Sequence, residues 1–282
     1  MKIGLVLEGG AMRGLYTAGV IDVFLENDIK VDTIIGVSAG ALFGVNYKSR
    51  QKGRVLRYNK KYAKDKRYMG TRVLLTTGDI VSKKFAYNEI PMKLDIFDNE
   101  TYMETQEEFY AVVTNIETGK AEYKKIDNTH DKVQLEYLRA SGSMPYVSRI
   151  VKVEGQKYLD GGLADSIPVE KMMEMGVDKI IVVLTRTIDY RKKQGKGRMA
   201  KIKYRKYPNF IDTLNNRYLM YNNQVEKIIE LEKENKIFVI RPTRKVQVAR
   251  VERDEERLQE MYDLGVQDCK NKLEELKKYL EN

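Results

Sequence analysis

Thr33-Ile34-Ile35-Gly36-Val37-Ser38-Ala39-Gly40 joins a β-branched run to a glycine-serine corner. The run predicts a buried strand over 33–37, and residues 39–47 predict a helix, so Ser38 falls at the strand-to-helix corner. Gly36-Val37-Ser38-Ala39-Gly40 is a G-x-S-x-G elbow. Such a turn strains the serine backbone and projects its Oγ, while small flanking residues keep neighbouring segments from colliding. The following helix aims its positive N-terminal end at the same place, where it stabilises developing negative charge. Ordinary tight turns produce the same five letters; the strand before and the helix after point to a catalytic serine.

Upstream, residues 3–7 are a short apolar run entering Glu8-Gly9-Gly10, which reads as a buried parallel strand ending in a glycine turn. A helix is expected over 15–25, stopped by Asn27-Asp28. Consecutive amides in Gly9-Gly10-Ala11-Met12-Arg13-Gly14 form an anion-binding concavity, the geometry an oxyanion hole requires. The same letters are an imperfect G-x-G-x-x-G. Ala11 in the second glycine position and Arg13 before the last glycine speak against dinucleotide binding, and no Gly-Lys-Ser/Thr follows to make a P-loop. Alanine keeps its N–H but resists positive φ, so a slightly altered turn is expected at Ala11.

An activated serine needs a base. The single histidine, His130, lies in the polar stretch Asn128-Thr129-His130-Asp131, and no histidine follows near the end of the chain to complete a Ser, Asp, His order. His130 therefore reads as a surface residue. A carboxylate must serve instead, and Asp160 in Tyr158-Leu159-Asp160-Gly161-Gly162 is the best placed, after a short strand and beside glycines that permit close backbone approach. Taken alone it would be a plain Asp-Gly turn. Elsewhere, strands are expected over 109–115, 121–126, 157–159, 179–184 and 237–240, and helices over 132–140, 169–175 and 209–235, with one charged amphipathic helix over 254–280. Strands alternating with helices predict a parallel-rich sheet covered on both faces, with ligands at the carboxyl ends of the strands.

Together the three motifs resemble the patatin-like phospholipase family, in which a G-G-G-x-R-G turn supplies the oxyanion hole, G-x-S-x-G the nucleophile and D-G-G or D-G-A the base of a Ser-Asp dyad. Ala140-Ser141-Gly142-Ser143-Met144-Pro145 looks like the segment that precedes the aspartate there. The resemblance covers about residues 3 to 185, and Ala11 departs from it. It implies a three-layer α/β/α fold with a central, mostly parallel sheet and a helical C-terminal extension, divided into a catalytic domain over 1–185 and a basic, mainly helical region over 186–282. It implies Ser38 as nucleophile, Asp160 as general base, an oxyanion hole of Gly9, Gly10, Ala11 and Arg13, and supporting glycines Gly14, Gly36, Gly40, Gly161 and Gly162. The substrate class it implies is acyl-lipid or phospholipid esters, cleaved with no cofactor and no metal.

A chain of 282 residues, 42% of them hydrophobic, can bury a sizeable core. No run approaches the length of a membrane span, the N-terminal apolar run meets Glu8 too early for a signal peptide, and one cysteine, Cys269, excludes an intramolecular disulfide. A cytoplasmic protein with an inert Cys269 is expected. The formal charge of +10 sits in two patches. Residues 48–72 carry eleven basic residues against Asp65, and residues 191–206 carry nine and no acid, leaving the remainder acidic. Interleaved with Tyr47, Tyr58, Tyr62, Tyr68, Tyr204 and Tyr207, these patches suit peripheral contact with an anionic membrane; solvated helix faces are the plainer reading. Two other classes stand beside the hydrolase: a catalytically silent module on the same fold that binds lipid, and a nucleotide- or nucleic-acid-binding protein, for which no motif is present. A fluorophosphonate that labels Ser38 separates catalysis from both.

Overall fold

Continuous apolar runs such as Ile34-Ile35 and Ile180-Ile181-Val182-Val183 have no polar face, so they are stable only where helices cover both sides of a sheet. The computed structural model, which describes residues 1–195 and 197–281, has that arrangement. Its strands are β1 (Ile3–Leu7), β2 (Thr33–Val37), β3 (Glu108–Asn115), β4 (Ala121–Lys125), β5 (Val151–Val153), β6 (Gln156–Asp160), β7 (Lys179–Val183) and β8 (Phe238–Ile240). They form one sheet in the order β5-β6-β3-β2-β1-β7-β8, with β4 beside β3. From β8 through β7, β1 and β2 to β3 every pairing is parallel, and β4, β5 and β6 add antiparallel pairings.

The helices are α1 (Leu15–Glu26), α2 (Ala39–Lys48), α3 (Arg54–Tyr62), α4 (Thr71–Thr77), α5 (Asn99–Glu104), α6 (Lys132–Ser141), α7 (Val169–Glu174), α8 (Arg198–Lys203), α9 (Pro208–Lys233), α10 (Glu255–Asn271) and α11 (Leu273–Glu281), with a π-helical turn over Phe85–Leu94. Strand side chains alternate between faces. Leu5, Leu7, Ile181, Val183, Phe238 and Ile240 accordingly pack with residues of α1, α2 and α10, whereas Val6, Val182 and Val239 pack with Met172 of α7 and Val225 and Ile228 of α9. Three layers result, as expected.

One detail of register positions the site. Val112 pairs with both Val37 and Tyr123, and Val113 with both Glu122 and Asp160. Since β4 occupies one edge of β3 across both positions, β2 and β6 must share the other. Where β2 leaves the sheet at Val37, β6 arrives antiparallel and ends at Asp160.

The region beyond residue 185 is built into this sheet. It supplies β8, and α10 crosses α1 so closely that a Cβ on Gly265 would lie 2.1 Å from the Tyr16 carbonyl oxygen, and one on Gly19 2.3 Å from that of Tyr262. The Tyr16 hydroxyl donates to Asp268 at 3.1 Å and the Tyr262 hydroxyl to Asp22 at 2.7 Å. Both colliding atoms are backbone and cannot rotate away. Gly265→Ala is therefore expected to destabilise the protein by about 1–3 kcal/mol, as overpacking does. A urea midpoint equal to that of the parent would refute the close crossing.

Two expectations need correction. The single terminal helix over 254–280 is two, broken at Lys272. The Lys272 ammonium donates to the Val239 carbonyl, and the bend turns Tyr279 onto the sheet, where its hydroxyl donates to the carbonyl of Lys236. The second concerns the basic patches. Tyr47, Tyr58, Tyr62, Tyr68 and Tyr204 are buried, as are Lys48 and Arg54. The Lys48 ammonium lies 4.5 Å over the Tyr102 ring, and Arg54 bonds the Asn46 side chain and the Asp95 carbonyl. The tyrosines of the first patch are thus core and offer no aromatic face to a membrane, while its other nine basic residues are exposed or partly exposed. Lys196, within the second patch, lies outside the described residues.

Candidate active site

β2 ends at Val37 and α2 starts at Ala39, leaving Ser38 alone to turn the chain, at φ 53° and ψ −120°. That conformation costs a non-glycine residue on the order of 1–3 kcal/mol and persists only where the surroundings impose it. They do so by proximity: a Cβ on Gly40 would fall 2.3 Å from the Leu7 carbonyl oxygen. The Ser38 amide is held as well, donating to Ser141 Oγ at 2.9 Å. Its hydroxyl donates to Asp160 Oδ2 at 2.7 Å. Asp160 Oδ1 accepts from the Gly162 amide at 2.8 Å, and the Asp160 amide donates to the Ser143 carbonyl at 2.9 Å. The serine is 8% and the aspartate 5% exposed, so their hydrogen bond is shielded from water.

Burial raises the Asp160 pKa, while the Arg217 guanidinium, the Ser38 hydroxyl and the Gly162 amide pull the other way. A buried carboxylate that already accepts a hydrogen bond from a hydroxyl is chemically able to take up that proton.

The glycine turn borders the same space. Gly9, Gly10 and Ala11 line a cavity of about 900 Å³ together with Ser38 and Asp160. Among the described residues, none of their three amides donates to an acceptor within the chain, which leaves them available to an external oxygen. Ala11 takes φ 50°, so the backbone adopts the left-handed turn in spite of its Cβ. The expected distortion takes the form of a strained alanine. Gly14 lies where a Cβ would meet that of Ala39 at 2.8 Å, and Gly36 where one would meet the Ala41 backbone at 2.6 Å. Ser38 also borders a smaller, largely apolar cavity of about 160 Å³, with Leu42, Phe43, Tyr87, Ile90 and Leu138 in its wall.

Residues 5–173 match the family described as Patatin-like phospholipase. The chain belongs to the patatin-like phospholipase family. Residues 207–281 match a domain of unknown function, DUF6363, whose match includes α9, β8, α10 and α11. The chain is 27% identical to the uncharacterized protein YjjU of Escherichia coli over 194 residues, 65% of this chain and 52% of that one. It is 32% identical to lysophospholipase nte1 of Aspergillus niger over 190 residues, 67% of this chain and 12% of the fungal protein. The chain thus spans about half of the first relative and about an eighth of the second. Among solved structures, VipD of Legionella pneumophila aligns over 96% of this chain and 67% of its own, with a TM-score of 0.42 and 14% identity.

Three contributors to this patatin-like site escaped the sequence reading. Arg217, on α9, donates Nε to the Gly162 carbonyl at 2.6 Å, and Thr114 donates its hydroxyl to the Asp160 carbonyl at 2.8 Å. Glu8, which read only as the end of a strand, accepts from the Thr185 amide and the Tyr221 hydroxyl and so ties the glycine turn to α9. Ser141 carried a signal, the segment before the aspartate, though not one that named its partner. His130 sits in an exposed turn at the wall of the apolar cavity, its amide bonded to Asn128, and partial burial lowers its pKa. Burial pushes the Cys269 thiol up to about 12, leaving no thiolate to react.

Proposed function

We propose that the protein is a serine acyl hydrolase that cleaves carboxylic ester bonds of acyl lipids, in the manner of a phospholipase A or lysophospholipase. The observation that carries this reading is the 2.7 Å hydrogen bond from Ser38 to a buried carboxylate beside unpaired amides. In the proposed cycle Asp160 takes the Ser38 proton as Oγ bonds the ester carbonyl carbon, and the Gly10 and Ala11 amides hold the oxyanion with Arg13 nearby. The C–O bond to the alcohol breaks, Asp160 returns the proton to the departing oxygen, and an acyl-serine remains. Water, deprotonated by Asp160, attacks the acyl carbon; the bond to Ser38 Oγ breaks, Asp160 returns the proton to Oγ, and the fatty acid leaves. Family membership and lysophospholipase relatives support the reaction class. The test is hydrolysis of p-nitrophenyl butyrate by the purified protein, by Ser38→Ala and by Asp160→Asn; equal turnover by all three would sink the proposal.

We further propose that this cytoplasmic enzyme meets its substrate by docking peripherally. Among the described residues no helix is long and apolar enough to cross a membrane. α8, whose Arg198 and Met199 line the larger cavity, exposes Met199 and Ile202 beside Arg198, Lys201 and Lys203, a combination that inserts apolar side chains while cations meet anionic headgroups. Sedimentation with phosphatidylglycerol vesicles should exceed that with phosphatidylcholine vesicles and fall in Lys201→Glu/Lys203→Glu; indifference to lipid charge would exclude docking through this helix.

A further inference from the structure

The two cavities that meet at Ser38 differ in chemistry. The smaller is largely apolar, with Arg54 and Arg250 reaching its wall; the larger is walled by Arg13, Arg186, Lys192 and Arg217 and shares Arg250 with the smaller. Among the described residues none of these five cations of the larger cavity has a carboxylate within salt-bridge distance, whereas Arg191 on the same wall is paired with Glu226 at 2.6 Å. Arg13 Nε is buried without a hydrogen-bond partner. Holding unpaired cations together is unfavourable unless an anion joins them. Electrostatics agrees with the geometry: burial, then Arg217, brings the Lys192 ammonium down to about 8, and burial, then Arg186, brings Arg13 to about 10, in each case against the opposing pull of the Glu8 carboxylate on the same wall.

We infer that this cavity is a headgroup site selecting acyl esters whose leaving alcohol carries a phosphate uncompensated by a cation, such as a phosphoglycerol or phosphomonoester lipid. The inference rests on the hydrolase reading for its orientation, with the acyl chain in the apolar cavity and the alcohol among the cations. It runs against a choline headgroup for a specific reason. A quaternary ammonium is recognised on open aromatic faces. Of the four tyrosines lining the larger cavity, Tyr190 is covered by the Arg186 guanidinium at 4.2 Å and Tyr221 by the Lys192 ammonium at 4.5 Å, and Tyr146 packs against the Tyr204 ring, which leaves Tyr218. Those two cations would repel choline and, released toward the cavity, would bind phosphate with charge-assisted hydrogen bonds.

The test compares lysophosphatidylglycerol with lysophosphatidylcholine of one acyl chain in neutral detergent micelles, using the full chain. The parent protein should favour the phosphoglycerol lipid in kcat/KM by about tenfold or more, the worth of one lost charge-assisted contact. Arg186→Gln/Lys192→Gln should bring the ratio near unity while p-nitrophenyl butyrate turnover is unchanged. Calorimetry with glycerol 3-phosphate and with inorganic phosphate, which needs no catalysis, should show binding to the parent that the double variant loses. Equal kcat/KM on both lipids, a ratio untouched by the double substitution, or inorganic phosphate bound more tightly than glycerol 3-phosphate would each overturn the headgroup assignment. If p-nitrophenyl butyrate is not hydrolysed but glycerol 3-phosphate binds and the double variant releases it, the hydrolase reading fails and the anion site stands.

Discussion

Asp160→Asn is expected to lower kcat for p-nitrophenyl butyrate by about 10³-fold, in the range a general base contributes, with the fold retained by circular dichroism. The amide oxygen can still accept from Gly162, but an NH₂ facing Ser38 donates where Oδ2 accepted, so nothing can take the serine proton. The pH profile gives a second readout. Because burial raises the Asp160 pKa, kcat/KM of the parent protein should climb with pH through an inflection above the ordinary carboxylate range, and the climb should be absent in the variant's residual activity. The sign for stability is opposite. The folded state keeps this proton at pH values where the unfolded chain has released it, so the group's contribution to stability is complete below the unfolded pKa and is lost as pH rises through the folded one. A flat acid limb in the parent protein would remove Asp160 from the base role.

Gly161→Ala should cost about 10²-fold in kcat/KM, the scale at which a misplacement of about 1 Å is felt, whereas Gly162→Ala should be much milder. The two glycines are adjacent in one motif, and spacing alone ranks them equally. A Cβ on Gly161 would lie 2.2 Å from the Val112 carbonyl oxygen and 2.4 Å from its carbon, both in the middle of β3. Relief requires moving the turn away from β3, which breaks the Thr114 bond to the Asp160 carbonyl and draws the carboxylate from Ser38. At Gly162 the nearest atoms are side-chain atoms of Asp160 and Val37, at 3.2 and 3.3 Å. Comparable losses in both variants would mean that β3 does not set the position of the carboxylate.

What the sequence made legible was local. A β-branched run into a glycine turn specifies β1 and its turn, the same logic specifies β2, Ser38 and α2, and Asp160 follows from a strand into paired glycines. Arg217 and Thr114 were hidden because their roles depend on the register of β3 and on where a long helix crosses it, 55 and 46 residues from their partners. The first basic stretch misled because its partners lie outside it: Asp95, beyond the counted window, ties both Arg54 and Arg57. The break at Lys272 was invisible because only contact with β8 distinguishes that lysine from its neighbours.

Because β2 and β6 occupy one edge of β3 in succession, the distance from Ser38 to Asp160 is fixed by counting residues along β6. A strand presents alternate side chains to opposite faces, so one residue inserted within β6 would send the carboxylate to the wrong face while leaving every motif letter intact. At the turn of Glu154 and Gly155 a Cβ on Gly155 would meet nothing, so its length is not set by packing on the backbone. Length variation among descendants of this chain should therefore collect at that hairpin tip, and a lineage that gains a residue between it and the aspartate should lose the chemistry while still looking like a hydrolase by its sequence.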